Sequence, residues 1–314
     1  MHPAYSVILF TSASGAGYGL LFLLGLARAF NLVTRDAWFG AASIFLALAL
    51  VTIGLLASTS HLGHPERAWR AFSQWRSSWL SREGVASIVA YIPALVLWIA
   101  WLTPGTSEQL IKAVGIATAL MAFITVCCTA KIYSSLTTIR QWNNRLVLPV
   151  YLDMALASGA VLFLALAKLF ASDLPIYGLI AIAAVISALL VKVAYWMSID
   201  REAPRHTMAE ATGLGRETSV RQWEVPHTAE NFVMKEMGYR IARKHAEKLR
   251  NLVVIAFLVT LIALVAAQFT ASALAMALSV AAVLSLAFAL AVERWLFFAE
   301  AQHVAMLFYG AERA

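Results

Sequence analysis

The sequence predicts an all-α polytopic membrane protein: an eight-transmembrane-helix bundle with a long cytoplasmic loop between helices 6 and 7. Three observations carry that expectation. Of the 314 residues, 61% are hydrophobic and only 13% are charged, whereas a soluble globule of this size carries about a quarter. The apolar residues fall into eight runs, each near the roughly 20 helical residues that cross a bilayer core of about 30 Å. One extended polar stretch interrupts them, so a single integral membrane domain over 1–314 is expected, with one excursion outside the bilayer.

The first run, Ser6 to Phe30, is too long for a signal-peptide core and follows no basic leader, so it is expected to stay in the mature protein. It contains TSASGAGYGLLFLLGL, in which Ser12, Gly15 and Gly19 recur about once per helical turn. A Gly-x-x-x-Gly pair lets a neighbouring backbone come close. The Gly-rich segment superficially looks like a dinucleotide-binding turn, but no strand precedes it, and helix packing is the better reading. The next runs are Trp38 to Ser60, Gly84 to Leu102 (with Pro93), Leu110 to Tyr133, Leu146 to Leu169 and Pro175 to Met197. Adjacent Cys127 and Cys128 point in different directions around the fourth helix, which favours packing over a disulfide or a metal site. No charge occurs from Leu252 to Val292, about twice what one span needs. Leu249 to Gln268 and Leu274 to Phe297 are therefore separate spans with a tight turn near Thr270 to Ser272.

The polar excursion, Ser198 to Arg250, begins with turn residues and no sustained apolar period, as an arm over the surface would. From Thr228 the pattern becomes ENFVMKEMGYRIARKHAEKLR, a helix with Phe232, Met234, Met237, Tyr239 and Ile241 among basic residues. It would lie beside anionic membrane lipid or dock a soluble subunit. Glu230, Glu236 and Glu247 favour docking, so 198–250 is expected to be a cytoplasmic arm and helix that receive partner subunits.

Lys and Arg set the orientation. The loops after spans two, four and six carry Arg67, Arg70, Arg76 and Arg82, then Lys131, Arg140 and Arg145, then a long basic series from Lys192 to Arg250. The other loops carry only Arg28, Arg35, Lys112 and Lys168. Even without the sixth loop the first set is larger, so both termini and the His61 loop are expected in the cytoplasm. The net charge of +7 is read as this bias, and no nucleic-acid partner is expected.

The loop HLGHPERAWRAFSQWRSSWLSREG, His61 to Gly84, carries most of the candidate chemistry. None of the seven histidines (His2, His61, His64, His206, His227, His245 and His303) sits mid-span. A membrane haem needs two axial imidazoles facing each other from helices, so no haem is expected. With two cysteines the protein is also short of the roughly four thiolates of an iron–sulfur cluster, and any such centre belongs to a partner. A quinone pocket near the partner's face fits better. His61, titrating near neutral pH, suits hydrogen bonding and proton transfer at a quinone carbonyl, and Glu83, partly desolvated, suits a proton relay. The alternative is that His61 caps its helix C-terminus and Glu83 the start of span three, after Ser81. Arg67 is either a loop polar group or a grip on a partner carboxylate. Trp79, with Trp69 and Trp75, is expected at headgroup depth, or as a flat neighbour of the quinone ring. Tyr133 is either an interfacial tyrosine or a donor to the second carbonyl. A transporter would place charges or broken helices near the midplane, and spans two, three, seven and eight show no such charge. A scaffold without chemistry is the third reading.

The run HLGHPERAWRAF followed by LSREGVAS, with His61 and Glu83 separated by 22 positions, resembles the membrane anchor subunit of the dimethyl sulfoxide reductase family (DmsC-like). KIYSSL at Lys131 to Leu136 looks like that family's tyrosine motif. The resemblance implies a haem-free, quinone-reactive anchor, using ubiquinone or menaquinone. It also implies an iron–sulfur cluster subunit and a catalytic subunit with a molybdenum bis-pterin (molybdopterin) cofactor as partners, with His61 and Glu83 in quinol binding and oxidation. The long arm departs from the reductase anchor, and the cytoplasmic loop is more similar to the sulfite-oxidising branch, the SoeC-type anchor of a cytoplasmic sulfite dehydrogenase. The opening HPAYSVILFTSASGAGYGLLF is similar to that branch too. The expectation is therefore a bacterial inner-membrane subunit that reduces quinone with electrons from cytoplasmic sulfite oxidation, with dimethyl sulfoxide-type quinol oxidation as the alternative.

The charge bias predicts that reporters fused to either terminus read as cytoplasmic; periplasmic phosphatase activity from a C-terminal fusion would invert the orientation and with it the choice of branch.

Overall fold

The computed structural model describes residues 4–60, 62–170, 174–215, 241–270 and 272–312, together with 220, 222–224, 229, 231, 234 and 237. Among these, eight helices are long and apolar enough to cross a membrane: α1 (Tyr5–Ala29), α2 (Ala37–Ser60), α3 (Trp79–Leu102), α4 (Glu108–Ser134), α5 (Val147–Leu169), α6 (Pro175–Arg201), α8 (Ile241–Gln268) and α9 (Ser272–Ala299). A one-turn helix, α7 (Met208–Ala211), stands in the excursion, and 3-10 helices cover Pro65–Phe72 and Val304–Tyr309. The turn expected near Thr270 falls between α8 and α9. Eight crossings put the ends of α2, α4, α6 and α9 and the starts of α1, α3, α5 and α8 on one face, here the loop face.

The bundle is wrapped around α1 and α5. Their apolar windows are 61% and 67% buried, against 33–44% for the other spans, so these two form its centre and the rest meet lipid. A Cβ built on Gly19 would lie 1.8 Å from the Ala155 carbonyl oxygen, and one on Gly159 would lie 2.2 Å from the Gly19 carbonyl carbon. The α1 and α5 backbones therefore touch where neither has a side chain, the approach that small residues permit in lipid. Gly17 meets α2 at Ala47 and Gly25 meets α4 at Gly115 in the same way. Gly15 does not: a Cβ there would meet nothing within 4 Å. Of the expected Gly-x-x-x-Gly pair, only Gly19 is a packing contact.

Three sequence expectations are corrected. Helix α3 begins at Trp79, ahead of the expected Gly84, because Ser81 and Glu83 point into the bundle and are buried. Glu83 is thus not the cap of this helix; Ser78 holds the N-cap position. Lys192, counted with the sixth loop, lies within α6 and is 0% exposed. The eighth span, uncharged near its middle, carries buried Glu293 and Arg294 closer to its loop-face end.

The loop face is knitted by the α4–α5 connection. Trp142 Nε1 donates to the Phe297 carbonyl at 2.9 Å, the Tyr195 hydroxyl donates to the Gln141 carbonyl at 3.1 Å, and Arg140 donates to the Ile199 and Glu202 carbonyls at 2.9 and 2.6 Å. Arg250 ties α8 to Asp200 at 2.6 Å and to Glu300 at 2.8 Å. Burial pushes the Glu300 carboxyl up and the Arg250 guanidinium pulls it back. The start of the excursion turns through α7, where Thr207 and Glu210 form a capping box, and the Met208 amide donates to the Glu312 carbonyl at 3.1 Å. Most of the helix expected from Thr228, including Glu230, Phe232, Glu236 and Tyr239, lies outside the described residues; from Ile241 the helix is continuous with the seventh span.

The two glycines of α1 should respond oppositely to one methyl group. Gly19→Ala is expected to cost upward of about 3 kcal/mol, since rigid backbone cannot yield to overpacking, and Gly15→Ala to leave or slightly raise the melting temperature, as Ala is the better helix former. Equal melting of the two variants in detergent would contradict the α1–α5 contact.

Candidate functional site

The His61–Gly84 loop folds back onto the start of α3. Pro65 opens its 3-10 helix, at a position that needs no amide donor. Phe72 at the helix end packs against Gly84, where a Cβ would lie 3.0 Å from the ring. Arg82 then clamps the loop: Nε donates to the Trp75 carbonyl at 3.0 Å, Nη2 donates to the Arg76 carbonyl at 2.7 Å, and the guanidinium lies 4.3 Å from the Trp79 ring centroid. Trp79 is half-buried by this stacking. Trp69 and Trp75 stay exposed, with Arg70 and Arg76 over their rings at 5.6 and 5.5 Å. Arg67 stands on the outer side of the 3-10 helix, 3.7 Å from Glu66, which also meets His64 Nδ1 at 3.0 Å. His61 lies outside the described residues.

Glu83 occupies the second turn of α3, 4% exposed. The Ser87 hydroxyl, one turn on, donates to its Oε1 at 3.4 Å, and Thr129 of α4 faces it as well. Among the described residues no cation pairs with it. A carboxyl group inside a membrane bundle is costly, and without an ion-pair partner it marks a functional position by default. Tyr133 lies one turn beyond Thr129 on the same face of α4, next to the helix end, and it is buried. Its ring stacks on Tyr151 (5.7 Å, 21°) and meets Trp142, Phe297 and Phe298 edge-on at 5.2 to 5.5 Å. The structure thus brings Glu83 and Tyr133 to one interior region and sets Arg67 on the loop above it and Trp79 at the start of α3.

Several interior groups escaped the sequence reading. Lys192 of α6 is ion-paired with Glu293 of α9, and Arg294 Nε lies 2.7 Å from the other Glu293 oxygen. The Arg294 guanidinium sits 4.0 Å from the Tyr151 ring centroid. Beyond it is a cavity of about 20 Å³ lined by Ser12, Tyr18, Thr129, Tyr151 and Arg294, among others. The hydroxyls of Ser12, Tyr18 and Tyr151 and both terminal nitrogens of Arg294 are buried there without a hydrogen-bond partner. Next to the cavity, and sharing Ser12, Ala16, Ser158 and Leu290 with it, an apolar cleft of about 390 Å³ runs between α1, α5 and α9. Exposed Leu9, on the membrane-facing side of α1, is part of its wall. The spacing of Glu83 with Ser87, and of Thr125, Thr129 and Tyr133, four residues apart on their helices, was the one available signal; Tyr18 and Arg294 had none.

These groups fit a quinone by donor chemistry, because hydroxyl and guanidinium donors suit a carbonyl oxygen and a cleft of this size suits a ring with its tail. They do not fit an iron–sulfur cluster, for which the sequence has too few thiolates.

A family model described as DMSO reductase anchor subunit (DmsC) matches residues 1–311. The C subunit of the sulfite dehydrogenase of Allochromatium vinosum is 31% identical over 331 aligned positions, covering 98% of this protein and 99% of that one. The C component of the anaerobic dimethyl sulfoxide reductase of Haemophilus influenzae is 32% identical over 103 residues, 33% of this protein and 37% of that one.

Arg82→Ala removes two charge-assisted hydrogen bonds, worth about 1.5–3 kcal/mol each, from the end of the loop. Tryptic cleavage after Arg70 and Arg76 is expected to quicken at least about tenfold; an unchanged cleavage rate would show that Arg82 does not hold the loop.

Proposed function

Since the protein belongs to the DMSO reductase anchor subunit (DmsC) family and is a membrane anchor subunit of a DMSO reductase-family or sulfite dehydrogenase complex, we propose that it exchanges electrons between a partner iron–sulfur subunit and membrane quinone. In the favoured direction it reduces ubiquinone or menaquinone with electrons released by sulfite oxidation at a molybdenum bis-pterin subunit. End-to-end similarity to a sulfite dehydrogenase component supports that direction. The shorter match to a dimethyl sulfoxide reductase component keeps quinol oxidation as the second reading.

The observation that carries the quinone reading is Glu83: a buried carboxyl group near the loop face, bonded to a hydroxyl and not to a cation. Such a group adds little to packing and is well suited to holding a proton where water is scarce. A bound quinone supplies an acceptor of two electrons and two protons. In this reading Glu83 holds one of those protons, with Ser87 orienting its carboxyl, and His61 hydrogen-bonds a carbonyl from the loop. Tyr133 fixes the Tyr151 ring through their stack and presents its own hydroxyl toward the same interior region. Trp79 and Arg82 close the rim over Glu83. Arg67, with Arg70, Arg76 and exposed Trp69 and Trp75, forms a cationic, aromatic surface suited to an acidic face of the iron–sulfur subunit. The subunits would gather on the cytoplasmic side of a bacterial inner membrane, where the charge bias puts this loop, and the 198–250 excursion would add a second docking surface.

Substituting Glu83→Gln or His61→Ala is expected to lower quinone-coupled turnover of the complex at least about 100-fold, the scale of a lost acid–base group, while dye-coupled catalysis by the partner subunits persists. Unchanged quinone turnover in both variants rejects the reading and leaves a scaffold. Molybdenum and iron in the purified complex, with sulfite-dependent quinone reduction compared against quinol-dependent dimethyl sulfoxide reduction, decide the direction.

A further inference from the structure

Two buried cations, one on α6 and one on α9, meet at a single carboxylate. Lys192 and Arg294 share one carboxylate, Glu293, and all three are at most 2% exposed. A structural ion pair in a membrane interior is expected to be neutral and fully bonded. Here both terminal nitrogens of Arg294 are turned into the small cavity without a hydrogen-bond partner. The groups beside them, the Tyr18, Tyr151 and Ser12 hydroxyls, are also unpartnered. An arginine can only donate hydrogen bonds, and the hydroxyls around it can donate as well, so the cavity suits an acceptor atom that bears or develops negative charge.

The volumes restrict what that acceptor belongs to. About 20 Å³ takes a single oxygen, roughly the space of one water, and excludes a phosphate headgroup or a ring. The neighbouring cleft of about 390 Å³, lined by Leu9, Ala16, Leu162, Val283 and Ala287 among others, takes the rest of a flat apolar molecule arriving from the bilayer. A lipid-soluble compound with a carbonyl oxygen on a ring meets both conditions.

We propose that the quinone head group binds inside the bundle between α1, α5 and α9, its ring in the apolar cleft and one carbonyl oxygen in the cavity held by Arg294, Tyr151 and Tyr18. This rests on the quinone reading above and assigns one carbonyl to residues other than those of the loop, with His61 left to the other. Glu293 and Lys192 act as positioning residues: Lys192 anchors Glu293, and Glu293 fixes the Arg294 fork. Tyr18 and Thr129 line the cavity on one side and face Glu83 on the other, which gives the Glu83 proton a hydroxyl route to the bound oxygen. Arg294 lies five residues from the end of α9, about 7.5 Å at the helical rise. The oxygen therefore stays close to a partner seated on the loop face.

The test is photolabelling of the assembled complex in its own membranes with an azido-ubiquinone bearing a short isoprenoid tail, followed by peptide mapping. Label displaced by unlabelled ubiquinone is expected on 9–18 of α1 and 283–294 of α9. Ala287→Trp, at an exposed position in the cleft wall, should lower it at least about tenfold. Tyr151→Phe, which keeps the ring stack, should weaken competition by unlabelled quinone about tenfold, the equivalent of one hydrogen bond to a charged or polar acceptor. Co-purification of the partner subunits verifies that each variant assembles. Displaceable label confined to 61–83 overturns this site and leaves the quinone reading standing. Label on α1 and α9 that Ala287→Trp does not reduce overturns the cleft as the binding route. No displaceable label, with no quinone-coupled turnover by a complex active toward dyes, overturns both.

Discussion

The contact on which the rest of the structure depends is the side-chain-free crossing of α1 and α5 at Gly19 and Gly159. In lipid there is little hydrophobic drive to press helices together, so close association comes from packing that lets backbones meet. With α5 in contact at Gly19, α2 at Gly17 and α4 at Gly25, α1 becomes the axis of the bundle. Its polar residues Ser12 and Tyr18 are thereby fixed in the interior, away from lipid. An α1 placed at the periphery would have exposed them to hydrocarbon, and no enclosed polar region would exist between α1, α4, α5 and α9.

Around that axis the polar groups are unevenly placed. Glu83, Thr129, Tyr133, Tyr151, Lys192, Glu293 and Arg294 lie in the half of the bundle next to the loop face, the half in which α3 and α5 begin and α4, α6 and α9 end. The half toward the opposite face is held by shorter ties at the membrane boundary, such as Arg28 with Glu108 at 3.0 Å and Trp101 Nε1 with the Asp36 carbonyl at 3.1 Å. This asymmetry suits an anchor subunit that meets its partners on one side. A buried carboxyl, a cationic loop and a donor-lined cavity are all within reach of that face. The exposed Arg–Trp pairs of the loop and the buried Lys–Glu–Arg cluster divide the work by dielectric. The former remain solvated and suit recognition, and the latter is desolvated, so that an unpartnered guanidinium donor acts strongly over a short distance.

Composition and run length alone determined the fold class, the number of spans and the turn between α8 and α9, because a bilayer imposes a length and an apolarity on every helix that crosses it. The segment that leads into Glu83 was also legible, since its histidine, carboxylate and tryptophans stand out against apolar neighbours. What only the tertiary structure decided is where charged and hydroxylated residues near helix ends point. Sequence treats Lys192 and Glu83 as belonging to the boundary, because a charge at a span's end is ordinarily solvated there, and it gives no signal for Arg294. Whether such a side chain turns outward to water or inward to a partner is set by helices distant in the sequence: α6 supplies the partner of α9, and α1 supplies the hydroxyl opposite α3. Periodicity records which residues share a face of one helix, but the match between faces of different helices exists only once they are packed, and the interior site is made of that match.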